Sequence, residues 1–188
     1  MDTPTISPEP ATESDPVTLR APLPGEFGLI ISRHGALYAS EWDYPAAFEA
    51  LVARICADFI DNSDPTRERC WIACERDSGA YLGSVMLVCN KDSAEDDGDT
   101  AKLRLLIVEP RARGMGVGRL LVRQCVEFAR GAGYKRVVLW TQNTLLAARR
   151  IYQTGGFELV STQEHETFGV KLVGEYWELR FSPGKDVD

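Results

Sequence analysis

A chain of 188 residues, 44% of them apolar, is long enough for one domain with its own core and too short for two comfortable ones. Its net charge of −7 is uneven: residues 1–19 hold Asp2, Glu9, Glu13 and Asp15 with no base, and residues 91–100 hold five acids against Lys91, so the rest is near neutral and lacks the broad basic face that nucleic acid requires. No apolar run reaches the length of a membrane span and the N-terminus lacks the pattern of a secretion signal, so the expected location is the cytoplasm, with no membrane partner.

The first 24 residues carry six of the ten prolines and read as a flexible tail. Phe27–Ser32 is a short apolar run that suits a strand. Phe48, Leu51, Ile55 and Phe59 follow at the spacing of a helix face, with Asp43 as the expected N-cap and Pro45 in the first turn. The runs CWIACER and AYLGSVMLVCN are rich in strand formers and are separated by Asp77-Ser78-Gly79, so they predict a hairpin. AKLRLLIVEP is a further strand ended by Pro110. Its alternation puts Lys102 and Arg104 on one face and Leu103 and Leu105 on the other.

After a glycine stretch, Leu121, Val122, Cys125, Val126, Phe128 and Ala129 trace an amphipathic helix that stops at Gly131-Ala132-Gly133. KRVVLWTQ predicts a central strand buried on both faces. LLAARRIYQTGG predicts a helix, and FELVSTQEHETF and GEYWELRF predict two last strands. The alternation of strands and helices makes this an α/β chain with a mixed sheet. The five cysteines (Cys56, Cys70, Cys74, Cys89, Cys125) have neither zinc nor redox spacing and, with only two histidines in the chain, no metal site is expected.

The stretch RARGMGVGRLL, Arg111 to Leu121, places Gly114, Gly116 and Gly118 at alternate positions. It fails the dinucleotide spacing, since Arg119 or Leu121 stands where the third glycine belongs, and it lacks the Lys-Ser/Thr of a P-loop. What remains is a strand, a proline, an arginine, three glycines and a helix. Glycines let backbone approach a ligand, and the next helix presents unpaired N–H groups at the positive end of its dipole. Such a site suits a pyrophosphate; a plain glycine-rich connector is the competing reading.

The neighbours favour the first. Arg113-Gly114-Met115-Gly116-Val117-Gly118 matches an R/Q-x-x-G-x-G/A signature, and Tyr152 to Gly156-Phe157 matches Y-x-x-x-G-F. In this order around these elements, the chain resembles the GNAT superfamily of acyl-CoA N-acyltransferases over about residues 26–181. Its segments RHGALY, LWTQNTLLAARRIYQTGGF and LVGEYWEL are similar to the acetyltransferase half of bacterial proteins that fuse a MarR-type regulator to a GNAT domain. The regulator half is missing here, so DNA binding is not carried over.

The resemblance implies an α/β fold with a mixed, mostly antiparallel central sheet of about seven strands. Helices flank this sheet, which is splayed between its fourth and fifth strands. It implies one domain over 25–182, with tails at 1–24 and 183–188. It implies that acetyl-CoA is the cosubstrate and that no metal takes part. The loop of Arg113, Gly114, Met115, Gly116, Val117, Gly118 and Arg119 would hold the pyrophosphate, through the backbone N–H groups from Gly114 onward, and the backbone of Leu106, Ile107 and Val108 would pair with the pantetheine arm. Tyr152 matches the tyrosine that protonates the departing thiolate, a role a neutral phenol can fill at pH 7.

Two departures stand out. Many members carry an asparagine seven residues before this tyrosine; here that position is Leu145, with Asn143 nearby as a candidate cofactor contact. Protein-acetylating members often carry a catalytic glutamate where this chain has Lys102, which leaves the general base open between a water chain, Glu41 and His34. Arg33, His34, Tyr38, Glu41, Lys102 and Arg104 are the candidate acceptor-site residues, and the cations among them suit a carboxylate-bearing amine such as an amino acid. A small-molecule N-acetyltransferase that works by direct attack is the leading reading. A protein N-acetyltransferase and a non-catalytic CoA-binding regulatory module are the alternatives. An exposed last strand leaves a homodimer open.

Overall fold

The computed structural model describes residues 16–91, 98–167 and 170–182; the C-terminal tail, most of the N-terminal tail and most of the acidic 91–100 segment lie outside them. Strand β1 (Val17–Arg20) precedes helices α1 (Glu26–Trp42) and α2 (Ala46–Asn62). Strands β2 (Arg69–Glu75), β3 (Tyr81–Cys89) and β4 (Thr100–Val108) form a meander. A 3-10 turn at Pro110–Ala112 leads into helix α3 (Val117–Gly131), strand β5 (Arg136–Gln142), helix α4 (Leu146–Thr154) and the hairpin of β6 (Glu158–Thr167) and β7 (Val170–Arg180).

The N-terminal third departs from the sequence reading in three ways. Val17–Arg20, assigned to the tail, is an edge strand paired with β2. Residues 27–32 are helical: Ile30, His34 and Leu37 are buried at helical spacing, and a six-residue apolar run cannot by itself choose between strand and helix. Asp43 does not cap α2. It closes α1 in the left-handed region at φ 56°, its N–H directed to the carbonyls of Ala39 and Tyr38, while Pro45 precedes α2.

The strands form one sheet in the order β1-β2-β3-β4-β5-β7-β6, in which only β4 and β5 run parallel. The last strand, β7, is therefore internal, and the edges are β1 and β6. One face packs on α3 and α4 through Leu121, Cys125, Val137, Leu139, Tyr152 and Trp177. The other packs on α1 and α2 through Ile30, Val52, Cys56, Ile72 and Met86. Each fully buried aliphatic side chain of this kind stabilises the fold by about 1.5–3 kcal/mol.

Two features open the sheet in its middle. Pairing of β4 with β5 runs from Thr100 opposite Arg136 to Leu103 opposite Leu139 and stops there, while β5 continues against β7 as far as Gln142 opposite Gly174. β4 also carries a bulge. Arg104 faces Met86 and Ile107 faces Ser84, which leaves one more residue on β4 than on β3, and Leu105 sits at φ 52°. A bulge bends its strand and sharpens its twist, here where β4 leaves β5. It also breaks the expected alternation: Leu103 joins the α3-side core, whereas Leu105 packs on the α1/α2 side with Met86 and Val88.

Candidate active site

The three glycines of the loop serve two purposes. Gly114 and Gly116 both sit at φ 83°, a conformation that side chains rarely adopt. Gly118 is needed for closeness: a Cβ there would lie 2.7 Å from Ile151 Cδ1 and 3.5 Å from Val108 Cγ2, so its absence lets α3 settle against α4 and β4. The first intrahelical bond runs from the Leu120 N–H to the Gly116 carbonyl, and among the described residues the N–H groups of Gly114, Gly116, Val117, Gly118 and Arg119 have no acceptor. The Met115 N–H is not part of this array; it donates to the Ala112 carbonyl at 3.3 Å. The Arg113 guanidinium is turned to Glu41 at 2.6 Å. Beside the loop runs a cleft of about 470 Å³, bordered by Met115, Gly116, Arg119, Arg123, Ile151 and Thr154.

Beyond Leu103 the β5-side edge of β4 has no strand partner among the described residues, so Leu106, Ile107 and Val108 lie along an open edge that ends beside Gly118. Tyr152 of α4 belongs to the α3/α4-side core, and its neighbour Ile151 packs against Gly118 at the end of that edge. Its ring is 4% exposed and rests against Phe157 and Trp177, with centroids 5.9 and 6.4 Å away. Burial, then the neighbouring Tyr38 and Cys125, hold its phenol well above the usual tyrosine range, so it stays protonated. Among the described residues its hydroxyl has no hydrogen-bond partner.

A support that the sequence reading missed lies behind it. Buried Glu175 accepts from Trp177 Nε1 at 3.0 Å and from Arg149 Nε at 2.9 Å, which ties α4 to β7. The alternation of Glu175 and Trp177 along β7 was its only signal in the sequence.

Asn143 sits in the turn after β5, where its N–H donates to the Val173 carbonyl. The candidate acceptor residues are not gathered into one pocket. Arg33 makes a bidentate pair with Glu109, at 2.6 and 2.8 Å, and Glu41 takes Arg113. His34 is 1% exposed; its Nδ1–H donates to the Ile30 carbonyl at 2.8 Å and its Nε2 is buried with no partner among the described residues. Burial pushes this imidazole down to about 4 despite that bond. Tyr38 packs among Trp42, Tyr44 and Phe48, at centroid distances of 4.9, 5.4 and 4.4 Å. Burial pushes its phenol up to about 12.

Lys102 and Arg104 border a cavity of about 150 Å³ with Asp58 and Phe59, near the end of α2. The structure does not bring Lys102 to the opening, because it belongs to the part of β4 that is still paired with β5. Among the described residues no three metal-capable side chains cluster, and no helix is long and apolar enough to cross a membrane.

Known proteins resemble this chain in sequence and in fold. The family model described as the acetyltransferase (GNAT) family matches residues 35–157. N-acetylaspartate synthetase of Danio rerio is 34% identical over 119 residues, which are 60% of this chain and 40% of that one. Mycothiol acetyltransferase of Beutenbergia cavernae is 27% identical over 179 residues, 88% of this chain and 56% of that one. The chain thus spans about half the length of these relatives. Among solved structures, a GCN5-related N-acetyltransferase from Kribbella flavida superimposes with a TM-score of 0.71 at 20% identity, covering 88% of this chain and 98% of that one. A Salmonella typhimurium structure described as an acetyltransferase with its cofactor acetyl-CoA gives 0.68 at 20%, covering 92% and 98%. At such identities the likeness is one of fold.

Proposed function

Because the chain belongs to the acetyltransferase (GNAT) family, we propose that it moves the acetyl group of acetyl-CoA to the primary amine of a small molecule. The observation that carries this reading is the set of unpaired N–H groups of Gly114, Gly116, Val117, Gly118 and Arg119 at the end of the open β4 edge, with Ile151, the neighbour of Tyr152, packed against Gly118. Five donors converging at a helix N-terminus fit a pyrophosphate, and an unpartnered strand edge fits an amide-bearing arm.

Each residue then has one task. The loop N–H groups hold the diphosphate. The edge of Leu106, Ile107 and Val108 aligns the pantetheine, and an N–H near Val108 polarises the thioester carbonyl. As the amine attacks directly, its nitrogen sheds a proton to water, and Tyr152, neutral and buried, gives its own proton to the departing sulfur and is then reprotonated from solvent. No acyl-enzyme is needed. Names such as N-acetylaspartate synthetase and mycothiol acetyltransferase support a small acceptor, as does Lys102 in place of an acidic residue. The likeness to the acetyltransferase half of regulator fusions belongs to the same reading.

Titration with acetyl-CoA, followed by an assay of CoA release over a panel of amines and amino acids, tests the proposal. Tight binding with amine-dependent release supports it. Binding without release for any amine leaves only a CoA-binding module.

A further inference from the structure

β5 lies between β4 and β7, where strand residues are ordinarily covered on both faces. Trp140 breaks that expectation: it is 47% exposed. It is the first residue of β5 beyond the last β4–β5 pair, Leu103 with Leu139, so it stands where the sheet opens. Leu139 points into the α3/α4 core, and Trp140 therefore points to the opposite face.

The indole is held in place. Tyr176 lies directly opposite on β7, and Gly174 lies two residues before it on the same face. A Cβ on Gly174 would meet Trp140 Cζ2 and Nε1 at 2.7 Å, so only the bare backbone lets the ring lie against β7. The ring of His165 on β6 is 5.1 Å away. Among the described residues the indole N–H has no acceptor. Glu178, on this face, is already engaged by Arg136 at 3.5 Å and by Arg180 at 2.9 Å. Gln142, two residues along β5, donates to the Tyr44 hydroxyl. The surface is thus an aromatic plate with one spare donor, and the carboxylate that β7 places on it, Glu178, is already paired.

We propose that Trp140 determines acceptor specificity by seating a flat aromatic or large apolar group carried beside the reacting amine. This rests on the reading of the chain as an N-acetyltransferase. Tyr152 belongs to the α3/α4 face of the sheet, which leaves the opposite face, the one Trp140 occupies, for entry of the amine. A polycationic acceptor gains least, because the plate itself is aromatic and Glu178 is already engaged by Arg136 and Arg180.

The test compares phenylethylamine, ethylamine and spermidine as acceptors for the wild type, Trp140→Ala and Trp140→Phe. The wild type should favour phenylethylamine. Trp140→Ala should raise KM for that amine about tenfold, with KM for acetyl-CoA and ethylamine turnover unchanged. Trp140→Phe should restore most of the loss. Gly174→Ala, which lifts the ring from β7, should raise the same KM and serves where Trp140→Ala does not fold. A wild-type preference for ethylamine or spermidine, or an equal loss for all three amines in Trp140→Ala, overturns the inference and leaves the acetyltransferase reading standing. Failure to acetylate any amine overturns both.

Discussion

Tyr152 has a hydroxyl with no hydrogen-bond partner among the described residues and a ring packed on two aromatics. A hydroxyl of that kind contributes little to folding, so Tyr152→Phe should keep the wild-type melting temperature within about 1 kcal/mol of stability, read by thermal denaturation. A large drop would mark the residue as structural. His34 has the opposite profile. Its folded pKa of about 4 lies below the ordinary 6.5, so the unfolded chain binds the extra proton first. Stability from this group is full above pH 6.5 and is lost as pH falls toward 4. The loss should approach about 3 kcal/mol, and a His34→Gln variant should show a flatter acid limb in urea denaturation. Tyr152 was legible in the sequence because its motif is local. Glu175 and Trp140 were not, because their roles depend on which strand lies beside them.

At the scale of elements, the glycine loop and the bulge of β4 do the positioning. Gly116→Val forces a β-branched residue to φ 83° at the centre of the N–H array, at a cost of about 1–3 kcal/mol. Calorimetry should show acetyl-CoA binding lost in this variant. Arg111→Ala should bind as the wild type does, since that exposed side chain reaches away to the Tyr81 carbonyl at 2.8 Å. Equal binding by both variants would remove the loop from the site. The hairpin of β2 and β3, the amphipathic α3 and the helix carrying Tyr152 were all readable from periodicity and turn residues. The bulge was not. Nothing local favours a leucine in the left-handed region, and only pairing with β3 on one side and release from β5 on the other place Leu105 there. Helix α1 was misread for a related reason: its strand-like run is too short to show a period unless His34, Leu37 and Tyr38 are counted with it.

For the whole molecule, the order of strands puts the open edge in the middle of the sheet and leaves β1 and β6 as the outer edges. Leu159 and Val160 of the edge strand β6 are exposed, so β6, and not the internal last strand, is the edge that offers pairing between copies. Sedimentation should show a dimer that Val160→Lys converts to monomer; a wild-type monomer contradicts that assembly. The central claim is that this chain acetylates an amine with Tyr152 as the acid. The most direct measurement is amine-dependent CoA release by the wild type and Tyr152→Phe, above neutral pH and at saturating acetyl-CoA. We predict release by the wild type and a loss of about a hundredfold or more in kcat for the variant, with KM for acetyl-CoA unchanged. Equal rates for the two proteins, or no amine-dependent release by the wild type, would contradict it.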